Sequence, residues 1–231
     1  LTSANETGLV TAGPSSRVPR SLVIWGASGQ AVSVAGVVIS AGFSIVCFVD
    51  PLKAPAELLG MPVRSKIPGI SNPEPIGIAI GDNFSRQALH DTLSGLPAPL
   101  NFPVIAHPSA VVSPFSRAGA GTVLMPGSVI GPNSQVGAFR IVNTGASLDH
   151  DSAMKGFASL APGAVTGGRV EIGFRSAVGI GAAIKHGVVM GDDTLVGAKS
   201  YLNPDLPGGV IAYERPAKVI RTRSPGEPYL T

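Results

Sequence analysis

Leu124-Met-Pro-Gly-Ser-Val-Ile130-Gly-Pro-Asn-Ser-Gln-Val136-Gly-Ala-Phe-Arg-Ile-Val142 places an apolar residue at every sixth position. Extended both ways, the frame runs from Ala106 to Leu202 without slipping, and sixteen of its seventeen members are apolar, Thr166 being the exception. The next residue is Gly eight times (Gly119, Gly131, Gly137, Gly167, Gly173, Gly179, Gly191, Gly197), and the fifth place is nearly always small, as in Ser128, Ala146, Ala164, Ser176 and Thr194. A period of six fits neither a 3.6-residue helix nor a hairpin; it fits a short strand and a tight bend, repeated into a coil of parallel strands. The apolar residue should point inward, the small one fill a narrow interior, and the Gly take a corner that needs positive φ. Three faces close a turn of about 18 residues, so 106–202 makes about five turns stacked at roughly 4.8 Å.

Upstream the texture changes. Leu22 to Trp25 reads as a strand, Gly26 to Ala31 as a Gly-rich turn, Val32 to Ala41 as a helix ended by Gly42, and Ser44 to Val49 as a second strand closed by Asp50. This half-Rossmann unit aims backbone N–H groups at a phosphate and sets Asp50 where a carboxylate meets a ribose or sugar hydroxyl. A further strand, Ile76 to Ile80, ends at Gly81-Asp-Asn83, and Phe84 to Leu93 reads as a helix carrying Arg86. The expected organisation is a loose tail over 1–20, an α/β domain over 21–103, the coil over 104–206 and a tail over 207–231.

Gly (30) and Pro (21) together form about 22% of the 231 residues and charged residues only 13%, which implies frequent turns. One Cys excludes a disulfide scaffold and a thiolate metal cage. The net charge of +3 is scattered without a basic run, which argues against a nucleic-acid groove and suits an anionic small molecule. Leu22 to Val49 carries no charge and is long enough to span a bilayer, but its Gly and Ser punctuation splits it into strand, turn, helix and strand. No membrane insertion is expected, and with no apolar leader-like core in residues 1–20 the expected compartment is the cytoplasm.

Among four histidines, His90 and His107 read as structural or solvated. His150 stands at a coil corner inside Asn143-Thr-Gly-Ala-Ser-Leu-Asp-His-Asp151, between two carboxylates. A neighbouring carboxylate raises the basicity of an imidazole, which is the tuning a general base needs. On the residues alone, a solvated corner His is the blander reading. His186 lies two turns further along the same edge and borders the same groove. No two histidines fall within one turn of each other, so no metal site is expected.

Residues 22–221 resemble the sialic acid O-acetyltransferase and nucleotide-sugar N-acetyltransferase family, on Ile24-Trp-Gly-Ala-Ser-Gly29, Phe48-Val-Asp50, Ile78-Ala-Ile-Gly-Asp-Asn83, His107-Pro-Ser-Ala-Val-Val-Ser-Pro114, the segment 143–151 and Pro216-Ala-Lys-Val-Ile-Arg221. The resemblance implies a left-handed parallel β-helix and a homotrimer. It implies acetyl transfer from acetyl-coenzyme A to the amine of a nucleotide-linked 4-amino sugar, with His150 as general base at a subunit interface, tuned by Asp151. The coenzyme would contact Ser159, Gly168, Ile180 and Ala198; the sugar nucleotide would contact Ser28, Gly29, Gln30, Asp50, Gly81 and Asn143. Arg215, Lys218, Arg221 and Arg223 would meet the coenzyme phosphates. Three positions depart from the family pattern: Gln30 and Ser159 each replace a His, and Pro51 replaces an acidic residue. The competing readings are O-acetylation of a sialic-acid-like free sugar and a non-catalytic scaffold or nucleotide-sugar sensor.

Overall fold

The computed structural model describes residues 20–69 and 74–229. The tail expected over 1–20 lies, up to residue 19, outside the described residues. The first region is a five-stranded sheet of order β3-β4-β2-β1-β5, built from β1 (Arg20–Trp25), β2 (Phe43–Val49), β3 (Ala56–Leu58), β4 (Met61–Arg64) and β5 (Ile76–Ile78). Helix α1 (Gly29–Ser40) crosses between β1 and β2, and α2 (Asn83–Ser94) follows β5. The uncharged stretch 22–49 is thus β1, α1 and β2, and no helix among the described residues is long and apolar enough to cross a membrane. α1 begins at Gly29, three residues earlier than expected, because Ser28 in extended backbone takes the N-cap position. The β3–β4 hairpin escaped the sequence reading; its three- and four-residue strands are too short for a clear alternation.

From Ile105–Ala106 to Tyr201–Leu202 the chain forms two-residue strands, each up to Ala183–Ile184 parallel to the strand 18 residues later, as in Ile141↔Ser159 and Val129↔Ser147. They stack into three faces. The first begins at Ile105, the second at Val111 and the third at Arg117. The apolar hexad residues Leu124, Ile130, Val136, Val142, Leu148, Met154 and their successors form one buried column inside the triangle. Each such aliphatic side chain contributes about 1.5–3 kcal/mol by leaving water.

Two details of the hexad differ from expectation. None of the eight glycines that follow the apolar residue has positive φ; that conformation falls two residues later, at Phe115, Asn133, Phe139, Asp151, Phe157, Arg169, Arg175, Asp193 and Lys199 as well as at Gly121, Gly127, Gly145, Gly163, Gly181 and Gly187. The eight glycines answer to close approach instead. A Cβ on Gly131 would lie 2.7 Å from the backbone N of His150, and one on Gly167 2.8 Å from that of His186. Backbone cannot yield as a flexible side chain can. Gly131→Ala is therefore expected to cost about 1–3 kcal/mol, while Gly36→Ala, in open space on α1, is expected to stabilise by about 0.5–1 kcal/mol; thermal denaturation of both variants checks the contrast. The second detail is that hydroxyls at the fifth place also bridge coils. Ser134 Oγ donates to Asp149 O at 2.7 Å and accepts from Ser152 N at 3.1 Å, and Ser176 repeats the pattern with Gly191 and Thr194.

The α/β region is fastened to the coil through α2. Asp82 caps this helix by accepting from Ser85 N at 2.8 Å. Arg86 is fully buried and donates to the carbonyls of Ile80, Gly81, Phe139 and Phe157 and to Asn83 Oδ1. Asn83 Nδ2 donates in turn to Arg175 O and Ser176 O, both at 3.1 Å. Burial pushes the Arg86 guanidinium down to about 10, so it stays charged at neutral pH. His90, expected to be structural, packs its ring 4.1 Å from that of Phe139 at the same junction.

Residues 207–231, read as a tail, hold a hairpin. Val210–Glu214 joins the first face in parallel beside Leu195–Val196, and Ala217–Thr222 returns antiparallel to it.

Candidate active site

His150 sits at the corner between the second and third faces, after the strand Ser147–Leu148 and before Ala153–Met154. Asp151 takes the left-handed corner conformation, φ 55°, which swings its carboxylate beside the preceding ring. Oδ2 of Asp151 lies 2.7 Å from His150 Nδ1, and Oδ1 accepts from Asn133 Nδ2 at 2.7 Å. These two hydrogen bonds, the imidazole's first, hold the Asp151 carboxyl below its ordinary range, with the charge of Arg169 adding to them. A carboxylate only accepts, so in the neutral ring Nδ1 carries the proton and Nε2 presents its lone pair outward. Both side chains are close to half exposed, at 43% and 45%. Across the Nε2 face lies Gly168, one coil further on; any Cβ there would strike the ring.

The backbone under the imidazole is held on three sides. Thr166 Oγ1 accepts from Asp149 N at 3.0 Å, Ser134 Oγ donates to Asp149 O, and His150 O accepts from Arg169 N at 2.8 Å. The one hexad position that is not apolar thus anchors the residue before His150. Polarity at a core position was the visible signal, though spacing alone did not tell its purpose.

A cavity of about 430 Å³ opens between the α/β region and the first face. Of the expected substrate residues, Gln30, Gly81 and Asn143 line it, together with the expected coenzyme residues Ser159, Ile180 and Ala198. The Gln30 Nε2 is buried without a hydrogen-bond partner, and Asn143 uses Oδ1 on Thr144 N, leaving its NH₂ uncommitted to that bond. Ser28, Gly29 and Asp50 lie outside this lining. Ser28 makes no side-chain capping bond and is exposed with Gly29 at the start of α1, while Asp50 Oδ1 accepts from Leu52 N at 3.1 Å. Lys53, which the sequence reading passed over, returns to the Gly-rich turn and donates to Ala27 O at 2.8 Å. A second cavity, of about 470 Å³, follows the carboxyl end of β4 and includes Arg64, Ser65 and Lys66.

His150, Asp151 and Gly168 do not line the cavity of Gln30, Gly81 and Asn143. They stand one corner away, with the second face between them and the corner of Ile180 and Ala198. The basic tail also differs from expectation: Arg221 pairs with Glu227, and Arg223 is buried, donating to Asp193 O and Glu227 O. Arg223 is thus committed inward, and Arg221, although exposed, is paired with a local carboxylate. Among the described residues, no group of three or more side chains is arranged to hold a metal ion.

A triangular coil of hexads joined to a nucleotide-type α/β region places the chain among the hexapeptide-repeat acyltransferases. Residues 21–93 match the PglD N-terminal domain family. The acetyltransferase domain of PglB from Neisseria gonorrhoeae FA1090 is 30% identical, with a TM-score of 0.81 over 87% of this chain and 100% of that one, and is also known in complex with acetyl coenzyme A at similar likeness. PerB from Caulobacter crescentus, in complex with CoA and GDP-perosamine, is 35% identical with a TM-score of 0.80, covering 86% of this chain and 96% of that one. WeeI from Acinetobacter baumannii AYE, at 24% identity and a TM-score of 0.77 over 86% of this chain and 99% of that one, shares the fold. The chain belongs to the nucleotide-sugar N-acetyltransferase family, whose enzymes depend on acetyl-coenzyme A.

Proposed function

We propose that this protein transfers an acetyl group from acetyl-coenzyme A to the amine of a nucleotide-linked 4-amino sugar. The observation that carries the reading is the single cavity that brings Gln30 and Gly81 of the α/β region to Asn143, Ser159, Ile180 and Ala198 of the coil. The nucleotide would lie along the carboxyl ends of the parallel strands, with a phosphate at Ser28 and Gly29 and a ribose at Asp50. Coenzyme A would run along the corner of Ile180 and Ala198.

His150 belongs to this reaction as the base of a neighbouring copy. Within one chain it lies off the cavity, and the face that intervenes exposes an uncharged outward row of Val111, Val129, Ser147, Val165, Ala183 and Tyr201. Packing that row against a second copy buries apolar surface and brings the corner of one chain towards the cavity of the next; a trimer closes such contacts. In the ternary complex the sugar amine attacks the thioester carbonyl, His150 Nε2 accepts the amine proton, and the coenzyme leaves as thiolate and takes a proton to become the free thiol. The Gly168 N–H would donate to the carbonyl oxygen as charge develops there. No covalent enzyme intermediate forms. The cytoplasm is the compartment proposed for this reaction.

Thiol release from acetyl-coenzyme A across UDP-, GDP- and dTDP-linked 4-amino sugars tests the reading. Release with one of them, and none with a free sialic-acid-like sugar, is expected; no release with any of the three overturns it. Gln30→Ala should raise KM for the nucleotide sugar about threefold to tenfold, the value of one hydrogen bond, with KM for acetyl-coenzyme A unchanged in the same assay.

A further inference from the structure

After the hairpin the chain turns back over the first face and delivers Tyr229 to the wall of the substrate cavity. This segment is fastened along its length. Arg223 N donates to Gly209 O at 2.7 Å, its guanidinium reaches Asp193 O and Glu227 O, Glu227 N donates to Ser224 O at 3.1 Å, and Arg221 pairs with the Glu227 carboxylate. The Arg223 guanidinium also stands 5.2 Å from the centre of the Tyr229 ring. The ring itself packs on Ala177, Leu195 and Ile211 of the first face.

The hydroxyl is less fully engaged than the ring. Tyr229 Oη lies 3.5 Å from Ser159 Oγ, well beyond the 2.7–2.8 Å of a good O–H···O bond. The two hydroxyls therefore satisfy each other poorly; the Tyr229 oxygen also accepts from the backbone N–H of Asn83, which leaves its own O–H able to turn to a third group beside Ser159. Burial holds the phenol above its ordinary range, so it stays a neutral donor. Around the same cavity stand the unpartnered Gln30 amide and the Asn143 amide. An aromatic ring with several convergent hydroxyl and amide groups is the chemistry that binds a sugar: C–H bonds against the ring, hydroxyls to the polar groups. Ser159 lies between Ile141 and Ala177 on the first face, beside the strand where Asn83 fastens the α/β region, whereas Ile180 and Ala198 lie beyond on the corner. Tyr229 thus stands at the end of the cavity nearer the nucleotide.

We propose that the segment 223–229 is an integral wall of the active site and that Tyr229 contacts the acceptor sugar, pairing its hydroxyl with that of Ser159 on one sugar group. This inference rests on the acetyl-transfer reading above and adds a binding residue to it.

The test compares Tyr229→Phe and Tyr229→Ala with the wild-type protein, reading KM for each substrate in the thiol-release assay, calorimetric binding of the same nucleotide sugar, and the thermal midpoint. Tyr229→Phe is expected to raise KM and weaken sugar-nucleotide binding about threefold to tenfold, with KM for acetyl-coenzyme A within twofold and the midpoint unchanged. Tyr229→Ala should weaken sugar binding further. Unchanged sugar binding in both variants overturns the proposal. So does an effect confined to acetyl-coenzyme A, or a loss seen only in Tyr229→Ala together with a lowered midpoint, which marks a packing role. Wild-type protein that binds the nucleotide sugar but releases no thiol fails the acetyl-transfer reading alone, and calorimetry on the variants still decides Tyr229. Wild-type protein that binds none of the three sugars overturns both.

Discussion

Replacing His150 with Ala is expected to lower turnover of the amino-sugar substrate by about 10²–10⁴-fold, the range for a lost general base, if the proposed role holds. The fold should not change, because the imidazole is partly exposed and makes its side-chain bond only to Asp151. KM for both substrates should move little, since the proton is taken in the transition state rather than on binding. Asp151→Asn gives a second reading of the same pair. The amide can donate where the carboxylate only accepts, so the tautomer with Nε2 free is no longer enforced, and turnover should fall with binding intact. Near-normal kcat in His150→Ala would remove the imidazole from the mechanism. A mixture of His150→Ala chains with chains disabled in the cavity, such as Asn143→Ala, should regain part of the activity if base and cavity come from different copies.

The second large effect concerns stability. Arg86→Met removes a buried guanidinium from four carbonyl oxygens and the Asn83 side chain. Methionine fills much of the volume but leaves those acceptors without donors, each costing about 1–3 kcal/mol. Partial relaxation and water entry limit the total to roughly 3–5 kcal/mol, the cost typical of breaking a buried charged cluster. A chain of this size loses about 2–4 °C per kcal/mol, so the thermal midpoint should drop by on the order of 10 °C. A midpoint within two degrees of wild type would mean that the α/β region is held to the coil by packing rather than by this arginine. The same variant should raise KM for the nucleotide sugar more than that for acetyl-coenzyme A, because Gln30 and Gly81 reach the cavity only while the α/β region stays docked.

Legibility varied with the range of the interaction. The hexad was plain because inward and outward positions recur at a fixed spacing, and each coil repeats the environment of the last. The eight glycines are visible in the sequence but their purpose is not: a corner and a close approach both demand Gly, and only the folded chain separates φ from crowding. Phe139 and Phe157 stand at left-handed corners of the coil, and the hexad pattern gave no hint of their role. They stack on each other at 5.3 Å and receive α2 through their carbonyls. Six expected binding residues converge on one cavity, yet His150 does not share it, since a corner's place in the hexad says which edge of the triangle a residue occupies and nothing of what faces that edge. The family resemblance, with the basic residues of the last segment, suggested a phosphate site. Arg221 and Arg223 proved to have local partners, which a count of charges does not see.

From the residues in order came the coil, the β-α-β unit and the imidazole between carboxylates, because each depends on neighbours within a few positions or on strict repetition. The tertiary structure alone decided that Arg86 bolts to Phe157 across 71 residues and that Tyr229 meets Ser159 across 70. Such contacts are set by how faces and helices pack, and a linear pattern carries no record of a meeting that only chain closure creates.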